Sequence, residues 1–446
     1  MTETDMQSRE SLSAESLPRA ARIARRILFR KVESLSTSGF YLSVFLPFAL
    51  GHFLSYVLRT INAILAPTLI SELHLSASQI GILTSAYFLA FALGQLPVGL
   101  ALDRYGPRRV QFTLLCFAAL GCLWFSIANN LIELIAARAL TGFGLAASFM
   151  GSLKAVSDWR PASRMPSMNG YLLAIGGLGA IASTVPAQVA VDAFGWRGIF
   201  LAIAVALVIT ALVIGTITPE PMDRPRRAST SFRSLVEVYR NRAFRRTIAV
   251  TLVPHITYFA VQGLWLGTWL DQVASLEPHA TATYLLAGMI AMVVGTILVG
   301  RVTEWATAHG YKALDVAAIG LWFFAIIQAG LVLNGRPLAA AISIGFPLFG
   351  AFAGLEFAIV AQSVPSSLTG RASTCLNLLV FTGSFLVQAG FGALLNILGD
   401  NFQGTYPPIA FQTAFGVLLF IQLPGLSFWA IDKARRLRPS RETQSM

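Results

Sequence analysis

The chain has 446 residues, of which 55% are hydrophobic and only 12% charged, whereas ordinary soluble proteins carry about a quarter charged residues. Apolar runs recur from Tyr41 to Ile431 and leave no room for a soluble domain, which excludes a water-soluble enzyme and a nucleic-acid-binding protein. The net charge of +12 therefore reports orientation in a bilayer before it reports any ligand.

Residues 1–40 form a basic tail with seven Lys/Arg in the first 38 positions and no long apolar stretch, so no cleaved signal peptide is expected. Within it, Arg19 to Lys31 reads either as an amphipathic helix on an anionic leaflet or as a solvated tail. A membrane crossing needs about 20 predominantly apolar residues. The first six such runs are Tyr41 to Ala66, Ile80 to Leu100, Val110 to Ala128, Leu131 to Val156, Gly170 to Ala190 and Gly198 to Ile217. Residues 218–246, rich in Arg, Pro and Ser, read as a linker. Six further runs follow: Thr247 to Leu270, Ala282 to Gly300, Leu314 to Leu333, Pro337 to Val360, Leu376 to Leu398 and Ile409 to Ile431. The expectation is an all-α membrane protein of twelve transmembrane helices in two six-helix halves, 41–217 and 247–431, with a tail at 432–446.

With both termini in the cytoplasm, 28 Lys/Arg fall on inside segments and only Arg197 and Arg336 on outside loops. That asymmetry predicts a multi-pass protein of the cell inner (plasma) membrane. The three cysteines, Cys116, Cys122 and Cys375, lie in apolar runs without metal or disulfide spacing and read as small core residues.

The loop after the second run contains Gly99, Asp103, Arg104, Gly106, Arg108 and Arg109 in one ordered stretch. This stretch resembles the signature loop of the major facilitator superfamily, G-x-L-x-D-R-x-G-x-R-R. Gly99 would allow close helix approach, Gly106 a tight turn, and Asp103 a cap or a pairing with arginines. The resemblance implies that Asp103, Arg104 and Arg108 latch a cytoplasmic gate as the two halves rock. In the fourth run, Arg138, Gly142, Gly144 and Ala146 resemble the superfamily's R-x-x-x-G-x-G-x-A motif, and Gly195-Trp196-Arg197 resembles a common start of its sixth span. After the eighth run, Gly300, Glu304 and Gly310 echo the loop but the Arg-Arg end is lost. Pro186 is not preceded by glycine, so the Gly-Pro signature of drug/proton antiporters is missing, which points to uptake rather than export.

An ionisable side chain at the bilayer centre costs about 2.5 to 3.5 kcal/mol even on insertion scales, so each one is a candidate functional group. His52 and Arg59 fall in run one, Arg138 and Lys154 in run four, His255 in run seven and Glu356 in run ten. The resemblance implies that these four runs line the central cavity. By residue count Arg59 and Arg138 share a depth, which suggests an anion site. The alternatives are that Arg59 snorkels to the surface and that Arg138 packs helices or couples them. Glu356 reads as a proton carrier, as a gate pair with Lys154, or as a hydrogen-bonded structural group. His255, next to the kink-permitting Pro254, and His52 read as core residues or as binding and coupling groups. Tyr56, Asn62, Gln262, Trp265, Asn377 and Gln388 are polar or aromatic candidates for the lining or for helix bridges.

The expected function is secondary active transport of a small anionic solute by alternating access, as a proton-coupled symporter and a monomer. No catalytic residue, metal site or cofactor is called for, because no H-E-x-x-H, G-x-x-x-x-G-K-[ST] or clustered Cys/His is present. A proton-driven exporter of drugs or metabolites and a transporter-like sensor are the alternatives.

Overall fold

A computed structural model of the protein describes residues 31–32, 35–161, 164–221, 232–333, 335–364, 369–399 and 405–437. Residues 19–30 of the basic N-terminal segment lie outside the described residues. Eleven described helices are long and apolar enough to cross a membrane: Thr37–Thr60, Ala77–Tyr105, Pro107–Ile127, Leu131–Ser157, Val185–Ile217, Arg242–Gln272, Pro278–Ala308, Ala313–Val332, Arg336–Ser363, Arg371–Leu398 and Pro408–Arg435. The shorter Ser167–Ala182 begins span five. Val185–Ile217 completes that span and runs on into span six through Gly195, where the backbone turns with φ +67°. Span one likewise continues past Thr60 as Asn62–Leu73. The twelve apolar runs thus become twelve helical spans, longer than their apolar centres because polar end residues stay helical. The described strands are Lys31–Val32 and Glu220–Pro221, which pair in parallel.

Local chemistry sets the ends. Ser76 and Gln79 form a reciprocal capping box at the start of span two, and Asn130 accepts from the Glu133 amide at the start of span four. Gly106 ends span two at φ 82°, a conformation that favours glycine, and Pro107 opens span three where no amide donor is needed. The end of the bundle carrying residues 218–246 is termed the linker end, and the opposite end the distal end. Large side chains such as Leu42, Leu93, Ile132, Ile326 and Phe420 are exposed, as expected for surfaces that face lipid.

Spans one, four, seven and ten, the four that carry intramembrane charge, are all interrupted. Span one breaks at Ile61. Span four breaks over residues 145–147, just after Gly142 and Gly144, which press against the Tyr87 carbonyl and the backbone of span three. Span seven stays helical through Pro254 and loosens into a π turn at Val261–Trp265. Span ten tightens into a 3-10 turn at Ala351–Gly354, four residues after Pro347. Such breaks free backbone carbonyls and amides in mid-membrane, where they must be met by side chains or serve a ligand.

Spans two and eleven pack along their length. At the distal end the first six spans close tightly on the last six. A Cβ added at Gly267 would collide with the Ala63 carbonyl, and one at Gly392 with the Ala77 carbonyl. The Tyr406 hydroxyl accepts from the Ala77 amide at 2.6 Å, and His279 lies 3.2 Å from Asp192.

Candidate functional site

Arg59 stands two residues before the break in span one. At that break, Arg138 Nη2 donates to the Leu58 carbonyl at 3.3 Å and also to Asn62 Oδ1, while Asn62 Nδ2 donates to the Arg59 carbonyl at 3.4 Å. The carbonyls freed by the broken helix are thus met by side chains. Arg138 is 0% exposed, and the rings of Tyr87, Phe125 and Phe200 surround its guanidinium. It reaches the same turn of span one as Arg59, so the shared depth holds. The expected pair of anion-binding arginines does not form, because Arg138 turns into the helix interface instead of lining the cavity.

The Arg59 guanidinium sits among four rings: Tyr56 at 4.8 Å, Phe381 at 5.0 Å, Phe91 at 5.4 Å and Phe259 at 5.6 Å from their centroids. The residue is 7% exposed, its Nε is buried without a partner, and no carboxylate pairs with it among the described residues. It does not snorkel. Cation–π contacts contribute about 0.5 to 2 kcal/mol each and offset part of the burial, but they leave the N–H edge of the fork unmatched. Arg59 lines a small cavity of about 20 Å³ together with Tyr56, Thr60, Ala180, Tyr258, Phe259, Gln262, Gly263, Met289 and Met292. The space holds roughly one water molecule, so a solute enters only if the helices move.

On span seven, His255 Nδ1 lies 2.5 Å from Oε1 of Glu356 on span ten, and the Thr251 hydroxyl donates to Oε2 at 2.7 Å. Glu356 is 0% exposed. Phe259 stacks on His255 at 4.8 Å and also covers Arg59, so one ring touches both charged sites. Lys154 does not pair with Glu356: its Nζ lies 2.9 Å from Asp103 Oδ1, at the linker ends of spans four and two. The gate pair expected between Lys154 and Glu356 is therefore absent here, because Glu356 lies deeper and already has two partners on span seven.

His52 is buried at 2% exposure, with both ring nitrogens unpartnered and Tyr56 and Phe149 against its ring. Gly176 and Gly179 of span five let that helix lie directly on His52, Tyr56 and the Phe53 carbonyl. The spacing His52, Tyr56, Arg59 recurs on span seven as His255, Phe259, Gln262, and the two ladders meet where Phe259 covers Arg59. This repeat is a signal in the sequence that points to Phe259 and Gln262.

Two other candidates face elsewhere. Trp265 is fully buried, stacked on Phe391 with Nε1 donating to the Gln388 carbonyl at 3.1 Å, so it joins spans seven and eleven and does not line the cavity. Asn377 Nδ2 donates to Gln95 Oε1 at 3.4 Å, and Gln95 Nε2 donates to Ala146 in the break of span four at 3.1 Å. Asn377 therefore bridges spans eleven and two.

In the loop after span two, Asp103 pairs with Lys154, Arg104 lies over Tyr105, Arg108 Nη2 reaches the Gly215 carbonyl at 2.5 Å, and Arg109 reaches Glu220 at 3.3 Å. A Cβ at Gly99 or Gly300 would meet nothing within 4 Å, so the close approach expected at Gly99 is not made. Side-chain contacts, not close backbone approach at Gly99, hold this end of span two to its neighbours.

A profile of the Major Facilitator Superfamily matches residues 48–388. A probable sulfoacetate transporter of Cupriavidus necator is 24% identical over 364 residues, covering 77% of this chain and 82% of the relative. A probable L-galactonate transporter of Escherichia coli is 23% identical over 351 residues, covering 74% of this chain and 77% of the relative. Among solved structures, a bacterial homologue of the human lysosomal transporter Spinster, inward-facing and unoccupied, superposes with a TM-score of 0.69 over 90% of this chain and 96% of that one. At 17% identity this is a likeness of fold alone.

Proposed function

The chain belongs to the Major Facilitator Superfamily, and on that premise we propose that it is a secondary active transporter of a small organic anion, driven by proton symport. The observation that carries this reading is Arg59, a buried guanidinium with no counter-ion among the described residues, facing a cavity between spans one and seven. A bare charge in a low-dielectric site is unfavourable, and an anionic ligand relieves it with charge-assisted, bidentate hydrogen bonds. The sulfoacetate and galactonate relatives are named for organic anions, which agrees with that chemistry.

Residues 41–217 and 247–431 act as two six-helix halves that rock about the site, with both termini and the linker in the cytoplasm of the cell inner membrane. The packed distal contacts close the outer side, and access from the cytoplasm opens as the helices move. Glu356 accepts the coupled proton, with His255 and Thr251 holding its two oxygens. Phe259, which touches both His255 and Arg59, conveys occupancy of one site to the other. Protonated Glu356 and anion-loaded Arg59 together bring no added charge into the membrane, which lowers the barrier to rocking.

Reconstituted protein preloaded with an organic acid tests this directly. Radiolabelled acid should enter by counterflow, and an inward proton gradient should raise its steady-state level. A preparation that binds the acid but moves none of it would refute transport.

A further inference from the structure

We infer that the transported solute is a monoanion with an apolar body, of the arylcarboxylate type, rather than a polyhydroxylated or doubly charged acid; this rests on the anion-transport reading above. Three features of the cavity carry it. The first is charge. Among the described residues, Arg59 is the one cation that lines the cavity; Arg138 is sealed into the break of span one, and Lys154 is paired with Asp103. One guanidinium compensates one anionic group, and a second negative charge would find no further cation among the lining residues to offset it.

The second feature is the scarcity of free polar groups. Thr60 Oγ1 is already engaged by the Tyr56 carbonyl at 2.8 Å and by Ser183 at 2.7 Å. Gln262 Oε1 is buried without a partner and offers one further polar contact, with the two phenols beside it. A sugar acid carries four or five hydroxyls, and most of them would be desolvated here without a partner, which opposes binding.

The third feature is the wall. Tyr258, Phe259, Met289 and Met292 line a space that widens only by helix movement. Thioethers and ring faces adapt to a flat apolar body and make favourable sulfur–aromatic contacts with it. The glycine at 263 leaves ordinary van der Waals room beside this wall, its Cβ position standing 3.6 Å from Gln388 and 3.8 Å from the Arg59 carbonyl.

Thermal unfolding of the purified full-length protein in detergent, with benzoate, benzamide, gluconate and glucarate as probes, tests the inference. Benzoate is expected to raise the Tm at concentrations about tenfold below those at which gluconate or glucarate act, and benzamide to give no shift. Arg59→Gln, checked for monodispersity, should lose the benzoate shift. Met289→Gln, which places an amide in the apolar wall, should weaken it about tenfold even if Arg59→Gln cannot be purified. Protection by gluconate or glucarate below the benzoate concentration, lost in Arg59→Gln, overturns the apolar class and leaves anion transport standing. Protection by benzamide equal to that by benzoate overturns both, and protection by none of the four probes overturns the inference.

Discussion

His255 Nδ1 and Glu356 Oε1 lie 2.5 Å apart between spans seven and ten, in a region from which solvent is excluded. Removing the ionisable oxygen should separate movement of the solute from its energy source. A proton gradient of one pH unit is worth about 1.4 kcal/mol, so one-to-one symport of a monoanion accumulates it about tenfold. Glu356→Gln keeps the shape and the Thr251 contact, and its expected accumulation ratio is near one, while counterflow at equal pH persists. Accumulation unchanged in Glu356→Gln vesicles would exclude Glu356 as the coupling group.

Arg59→Gln should weaken substrate binding without unfolding the protein. A hydrogen bond to a charged group contributes about 1.5 to 3 kcal/mol, which corresponds to roughly a 10- to 150-fold loss of affinity. Burying a neutral amide instead of an uncompensated cation should leave the Tm equal or raised. Isothermal titration and thermal unfolding read the two effects separately. A variant that binds as tightly as wild type is incompatible with the anion site.

Arg138→Ala should show the opposite pattern, with folding impaired first. Its guanidinium meets the Leu58 carbonyl and Asn62 Oδ1 in the break of span one, and each acceptor left bare costs about 1 to 3 kcal/mol. The expected outcome is a lower Tm and reduced yield. A stable Arg138→Ala protein that had lost only its affinity for substrate would place Arg138 in the cavity after all.

Gly267→Ala should loosen the distal seal, since a Cβ there collides with the Ala63 carbonyl. An Ala66→Cys reporter, 1% exposed in this conformation, should then react faster with a membrane-impermeant maleimide than the same reporter beside Gly267. Equal labelling rates would mean that spans one and seven are not the outer gate.

Much of this arrangement was legible in the sequence. Periodic apolar length gave the twelve spans, and the cost of intramembrane charge picked out Arg59, Arg138, His255 and Glu356. Depth along a helix could be counted, and the Arg138 side chain does reach the turn of span one that carries Arg59. Direction could not, since it depends on which backbone carbonyls a broken helix leaves free, and Leu58 claims Arg138. Lys154 shows the same limit: Glu356 turns to Thr251 and His255 on span seven, and Lys154 turns to Asp103 on span two. Two rings of the cage, Phe91 and Phe381, had no local signal, because they come from spans two and eleven and meet Arg59 only in the folded bundle. The repeated spacing from His52 to Arg59 and from His255 to Gln262 was present in the sequence, and it is the pattern that pairs the facing walls.

The four rings around Arg59 carry no charge, yet their faces offset part of the cost of burying the guanidinium and do not depart with a cargo. A carrier whose only neutralising group is its solute is trapped when unloaded and works by one-for-one exchange. Tyr56 and Phe91 belong to the same six-helix half as Arg59 and would stay with it as the halves rock, so in the proposed cycle an unloaded carrier keeps part of that offset and net flux is open to it.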